Sequence, residues 1–185
     1  MSWIKIIDDK EATGRLKKIY QKIKAERGKI PNIMKIHSLN PKAMKAHLDL
    51  YLSLMFSESG LTREECEMLA TVVSAANSCE YCINHHGEAL NHYWKDKEKL
   101  QKLIKDYKSL RLSEKTLRML GYAVKLTKTP EKVNRKDIDA LCESGFSDED
   151  ILNINLIISY FNFVNRIAQG LGVEFTPDEM RGYKV

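Results

Sequence analysis

The chain of 185 residues is 43% hydrophobic and 30% charged, the balance of a globular protein rather than a disordered one. Lys and Arg exceed Asp and Glu by 30 to 25, and a net charge of +5 is too small an excess to mark a nucleic-acid binder. Only four prolines and nine glycines are present, which argues against a turn-rich all-β architecture.

At this length a single domain spanning 1–185 is expected, burying roughly two thirds of its unfolded surface. The opening "MSWIKIIDDKEATG" turns acidic after a few apolar residues, so no secretory leader is expected. The longest apolar stretch, "ILNINLIISYFNFVNRIA", is broken by Asn153, Asn155, Asn162, Asn165 and Arg166, and no membrane span is expected. These features point to the cytoplasm, where ordinary thiols stay reduced. A close cysteine pair there serves catalysis or metal binding rather than a disulfide framework.

The segment Trp3 to Ile7 carries the one hint of a strand, and every later signal is helical. Pro31 and Pro41 each sit where a first helical residue belongs, with Asn40 as a cap before the second. "LTREECEMLATVVSAAN" opens on Thr62 and Glu65, a capping box, and then runs almost continuously apolar from Met68 to Ala76. Between Lys95 and Arg118 the lysines alternate with Asp96, Glu98, Asp106 and Glu114, which reads as a solvated helical face. "LSEKTLRMLGYAVKLT" starts at a Ser113 cap, and "NRKDIDALCESG" is a short helix capped by Asn134 and stopped by Gly145. The last helix starts at Ser147 and Asp150 and ends at Gly170 and Gly172. Its apolar residues fall on nearly every face, so it is expected to be the central buried helix. Cys66 and Cys142 lie inside apolar helical patterns and read as small buried hydrophobes. The fold class is all-α.

Between two of these helices lies "NSCEYCINHHGEAL", which holds two of the four cysteines and two of the five histidines. Asn77 can end one helix in the left-handed conformation and Ser78 can cap the next. Cys79 then falls in the first turn, with Cys82 one turn on and on the same face, Cβ atoms ~5–6 Å apart. The amino-terminal end of a helix stabilises a thiolate. His86, four residues past Cys82, is spaced to act as its base. If the two helices fold back as a hairpin around Ser78, Glu67 reaches the level of His86. A carboxylate beside an apolar run needs a partner, because an isolated buried charge is costly. Bonding to His86 would fix the imidazole tautomer and raise its basicity. On the residues alone, a redox pair, a zinc site and coincidence all remain open. A thioredoxin module is disfavoured, because its βαβ context is missing.

The order Glu67, eleven residues, Cys79-x-x-Cys82, three residues, His86 resembles the active-site pattern of the alkylhydroperoxidase D (AhpD) family, within the carboxymuconolactone decarboxylase-like superfamily. "AVKLTKTPEKV", "DIDALCESGFSDEDIL" and "YFNFVNRIAQGLGVE" extend the similarity to its peroxidase-related branch. The resemblance implies an AhpD-like helical bundle assembled as a homo-oligomer, with no cofactor and no resident metal. It implies a hydroperoxide substrate, with a dithiol, lipoyl or thioredoxin-like protein as reductant. By that analogy Cys82, activated by His86, attacks the peroxide and becomes a sulfenic acid. Cys79 resolves it to a disulfide, and Glu67 relays the proton through His86. Where characterised peroxidases of the family place a histidine between the cysteines, this chain has Tyr81, a hydrogen-bond donor but a poor base at neutral pH. The alternative is a non-catalytic metal-binding or redox-sensing protein that uses Cys79, Cys82 and His86. Asn162, Asn165 and Arg166 read either as buried polar groups that satisfy neighbouring backbone or an oligomer contact or, for Arg166, as a holder of Glu67 or of a substrate head group. Tyr93 and Trp94 read as core or interface.

Overall fold

The computed structural model describes residues 2–56, 59–176 and Glu179, and among them there is helix and no strand. The helices are α1 (Gly14–Arg27), α2 (Asn32–Lys35), α3 (Pro41–Met55), α4 (Arg63–Ala76), α5 (Glu80–Trp94), α6 (Lys97–Asp106), α7 (Glu114–Lys128), α8 (Arg135–Glu143) and α9 (Asp148–Gly170). Single 3-10 turns at Tyr107–Ser109 and Pro130–Lys132 flank α7. None of these helices is long and apolar enough to cross a membrane. The chain divides into two compact units, Met1–Ser53 with Ile167–Val185, and Leu54–Arg166.

The first unit packs Leu16, Ile19, Tyr20 and Ile23 of α1 against Met34, Met44 and Leu48. The segment from Trp3 to Ile7 is irregular there, contrary to the strand hinted at by its sequence. Its backbone groups find single partners instead of a ladder. Trp3 N–H donates to Leu171 O, Ile7 N–H donates to Ser38 Oγ at 2.9 Å, and Ile7 O accepts from Tyr20 Oη at 3.0 Å. With no second strand to pair, the apolar residues of the segment carry no strand signal that the fold could use.

In the second unit the capping signals act as expected. Thr62 and Glu65 form the capping box of α4, and Asn134 with Asp137 forms that of α8. Ser113 caps α7, and Ser147 and Asp150 bond reciprocally at the start of α9. Every residue from Cys66 to Ser74 is buried, so α4, not α9, is the helix enclosed on all sides. Along α9, Ile154, Ile157, Ile158 and Phe161 are buried, while Leu152, Leu156 and Phe163 are exposed at 57%, 38% and 48%. The periodicity of α9 is apolar all round, but one of its faces is left exposed among the described residues.

Two further expectations are corrected. Pro31 stands at the N-cap of α2 rather than at its first helical position. Cys142 is exposed, because it lies on the solvent side of the short helix α8, where Leu141 alone is buried; Cys66 is buried as expected.

Candidate active site

The site is built from α4, α5 and α9 within the second unit. At the end of α4, Asn77 keeps helical angles (φ −87°), and the reversal falls on Ser78, at φ 55°. The sequence places this turn one residue earlier. The difference has a cause in the Asn77 side chain, whose amide donates to Asn162 Oδ1 at 3.0 Å and to Asn165 Oδ1 at 2.9 Å. That anchoring to α9 holds Asn77 in the helix and passes the left-handed step to Ser78. Cys79 thereby becomes the N-cap of α5, and Cys82 lies in its first turn.

Both thiols are free and buried, each about 1% exposed. The Cys79 thiol donates to Asn165 O at 4.0 Å. Cys79 is held below the ordinary thiol range, chiefly because the Cys82 thiol donates to it, with the Cys82 backbone N–H adding to the effect. Cys82 is pushed well above that range, first because its proton is held by Cys79 and then by burial. The acidity order is therefore the reverse of what a thiolate resting on Cys82 would show, and the first proton lost belongs to the pair. By contrast, burial pushes Cys66 up to about 11, the state of an inert core thiol.

Glu67, about 1% exposed, bridges two partners. Its Oε2 accepts from His86 Nδ1 at 2.7 Å, and its Oε1 accepts from Arg63 Nη2 at 2.6 Å. A carboxylate only accepts, so in this pair Nδ1 carries the imidazole proton and Nε2 is left as the basic nitrogen. The edge of the His86 ring meets Phe161, with centroids 4.5 Å apart. The Glu67–His86 contact stands where the hairpin argument puts it. Among the described residues no hydrogen bond joins the His86 ring to either sulfur; its bond is to Glu67.

Arg63 escaped the sequence reading, although its position four residues before Glu67 on a capped helix was a usable signal. Its guanidinium also donates to Met55 O and lies over the Phe56 ring at 3.9 Å. It, and not Arg166, is the cation on Glu67. Arg166 donates to Asn162 O and to Asn162 Oδ1 at 2.8 and 3.0 Å. Asn162 passes the network on to Thr127 Oγ1 at 3.0 Å. Asn165, fully buried, donates from Nδ2 to Ser74 Oγ at 3.1 Å. Tyr81 is buried against His85, ring centroids 4.5 Å apart. Trp94 donates to Glu64 and lies under the Lys99 ammonium, whereas Tyr93 is 48% exposed. No group of three or more His, Cys, Asp or Glu side chains among the described residues is placed to hold a metal ion.

Residues 41–125 match the carboxymuconolactone decarboxylase family model, a span that contains Glu67, Cys79, Cys82 and His86. The chain is also similar to the crystal structure of an AhpD-core, peroxidase-related protein from Ralstonia eutropha JMP134. The TM-score is 0.87 and the identity 28%, over 97% of this chain and 94% of that one. The family match and this neighbour support an AhpD-like assignment within the carboxymuconolactone decarboxylase superfamily. A second neighbour, a peroxidase-related protein from Silicibacter sp. TM1040, has a TM-score of 0.83 and 27% identity, covering 98% of this chain and 93% of that one. The debrominase Bmp8, in complex with 2,3,4-tribromopyrrole, shares the AhpD-like fold at 18% identity. Its TM-score is 0.79, over 97% of this chain and 96% of that one. No match was found among curated proteins.

Proposed function

We propose that this AhpD-like protein is a thiol-dependent peroxidase that reduces hydroperoxides through Cys79 and Cys82, assisted by Glu67 and His86. The observation that carries the reading is the buried Glu67–His86 hydrogen bond set beside two free, paired thiols. The Cys82 thiolate attacks the distal peroxide oxygen and the O–O bond breaks. Cys82 becomes a sulfenic acid, and the alkoxide leaves as an alcohol after taking a proton from the site. The Cys79 sulfur then attacks the Cys82 sulfur, the S–O bond breaks, and hydroxide leaves as water. Two thiols and one hydroperoxide thus give one disulfide, one alcohol and one water. His86 Nε2 receives and returns the protons, with its tautomer held by Glu67. Tyr81, packed on His85, takes no part as a base.

The disulfide is reopened by an external dithiol, of the lipoyl or thioredoxin-like class. The working form is a homo-oligomer in the cytoplasm. The exposed Leu152, Leu156 and Phe163, which share one face of α9, support a subunit contact there. Steady-state turnover of an organic hydroperoxide with dihydrolipoamide as reductant tests the activity. Wild type is expected to turn over, and Cys82→Ser to lose turnover completely. Full activity in Cys82→Ser would overturn the proposal.

A further inference from the structure

Asn165 meets the cysteine pair with both of its polar ends. Its backbone carbonyl accepts from the Cys79 thiol at 4.0 Å. Its side-chain orientation is fixed from two sides, since Oδ1 accepts from Asn77 at 2.9 Å and Nδ2 donates to Ser74 Oγ at 3.1 Å. Turning the amide over would set two NH2 groups against each other at Asn77. One Nδ2 hydrogen goes to Ser74. The other is left for Cys82, where the amide works against the upward push on that thiol. Asn165 is fully buried, so water does not compete for these bonds.

A single negative charge on the pair has two homes. In the first, Cys79 is the thiolate and the Cys82 thiol donates to it. In the second, the proton has crossed from Cys82 Sγ to Cys79 Sγ. Cys79 then donates to the Asn165 carbonyl, and the Cys82 thiolate faces the Asn165 amide. We infer that Asn165 is a positioning residue that stabilises the second arrangement and so makes it accessible for attack, its carbonyl taking the Cys79 proton and its amide stabilising the Cys82 charge. The inference rests on the peroxidase reading with Cys82 as the attacking sulfur, and it names the group that brings the charge onto that sulfur. The arrangement explains how a sulfur whose resting proton is tightly held becomes the nucleophile: one proton leaves the pair to His86, and the one that stays is held on Cys79.

The test is the site of alkylation, which loss of packing alone would not shift. Fully reduced protein is treated with substoichiometric iodoacetamide at neutral pH, and the Cys82 to Cys79 labelling ratio is mapped by mass. The exposed Cys142 serves as an internal standard. In Asn165→Ala the ratio is expected to fall about tenfold or more, the worth of one hydrogen bond to a charged group. Asn165→Asp, which keeps the acceptor for Asn77 but loses the donor, is expected to shift it the same way and serves if the alanine variant is unfolded. Thr127→Val disturbs the same network through Asn162 and is expected to leave the ratio unchanged. An unchanged or increased ratio in both Asn165 variants, or an equal fall in Thr127→Val, would overturn the assignment. A wild type inert to peroxide whose ratio still falls in both Asn165 variants would remove the peroxidase reading and leave the role of Asn165 standing.

Discussion

Replacing Arg63 by Met is expected to strand the Glu67 carboxylate. Glu67 is about 1% exposed, and its two partners are Arg63 Nη2 at 2.6 Å and His86 Nδ1 at 2.7 Å. Removing one member of a buried charge pair costs about 3–5 kcal/mol when nothing replaces it. The Arg63 side chain is 24% exposed, so water reaches the vacated side and lowers that figure to about 2–3 kcal/mol. Loss of the bond to Met55 O and of the contact with Phe56 adds about 1 kcal/mol. A double-mutant cycle separates these contributions, because the Met55 and Phe56 contacts are lost whether or not residue 67 is charged. Against a Glu67→Gln background, Arg63→Met should therefore cost only the smaller part, leaving a coupling of about 2 kcal/mol. Urea denaturation followed by far-UV circular dichroism gives all four stabilities. A coupling below about 0.5 kcal/mol would match an exposed ion pair and would refute the description of Glu67 as a buried, doubly held carboxylate.

Other perturbations give equally definite expectations. In the first unit His47 is pushed down to about 3 from the usual 6.5, first by burial and then by the charge of His37, which faces it with the rings 3.2 Å apart at Nδ1 and Nε2. His47 is therefore neutral when folded and takes a proton on unfolding, so its contribution is complete above about 6.5 and is lost as the pH falls towards 3. The slope should approach about 1.4 kcal/mol per pH unit and should flatten in His47→Gln; parallel stability curves for the two proteins would contradict this. Thr71 Oγ1 is buried on α4 with no hydrogen-bond partner among the described residues, so Thr71→Val should raise stability by about 1 kcal/mol; a loss measured by urea denaturation would show that the hydroxyl is paired. Glu67→Gln should abolish peroxide turnover while the protein stays folded. The amide then donates to His86 Nδ1 and moves the imidazole proton to Nε2, and unchanged turnover would count against the relay.

Much of the scaffold could be read from the sequence because its signals are local. The Thr62–Glu65 box and the Asn134 cap need only residues three apart, and both formed, the second completed by Asp137. The Glu67–His86 bond was legible for a similar reason, since two helices folded about a known turn bring fixed positions level. What depended on partners far along the chain was not legible. The side-chain amide of Asn77 reaches 85 and 88 residues onward, to Asn162 and Asn165, and that contact moved the α5 start by one residue. The same distance hid the partners of Asn165, which the sequence marks as a buried polar group but does not connect to the cysteine pair. Both α4 and α9 are apolar enough to be central, and only the packing decides that α4 is enclosed while Leu152, Leu156 and Phe163 are left outside. Cys142 shows the converse error, where an apolar pattern on a short helix was read as burial beyond the one turn that is covered.

The most direct test of the account is an anaerobic titration of fully reduced protein with an organic hydroperoxide, following free thiols and intact mass. The account predicts loss of two thiols per chain and a mass decrease of about 2 Da, with the bond mapped to Cys79 and Cys82. In Cys79→Ser the reaction should stop at a sulfenic acid on Cys82, a gain of about 16 Da. Thiols that survive excess hydroperoxide, or oxidation that maps to Cys142 alone, would contradict it.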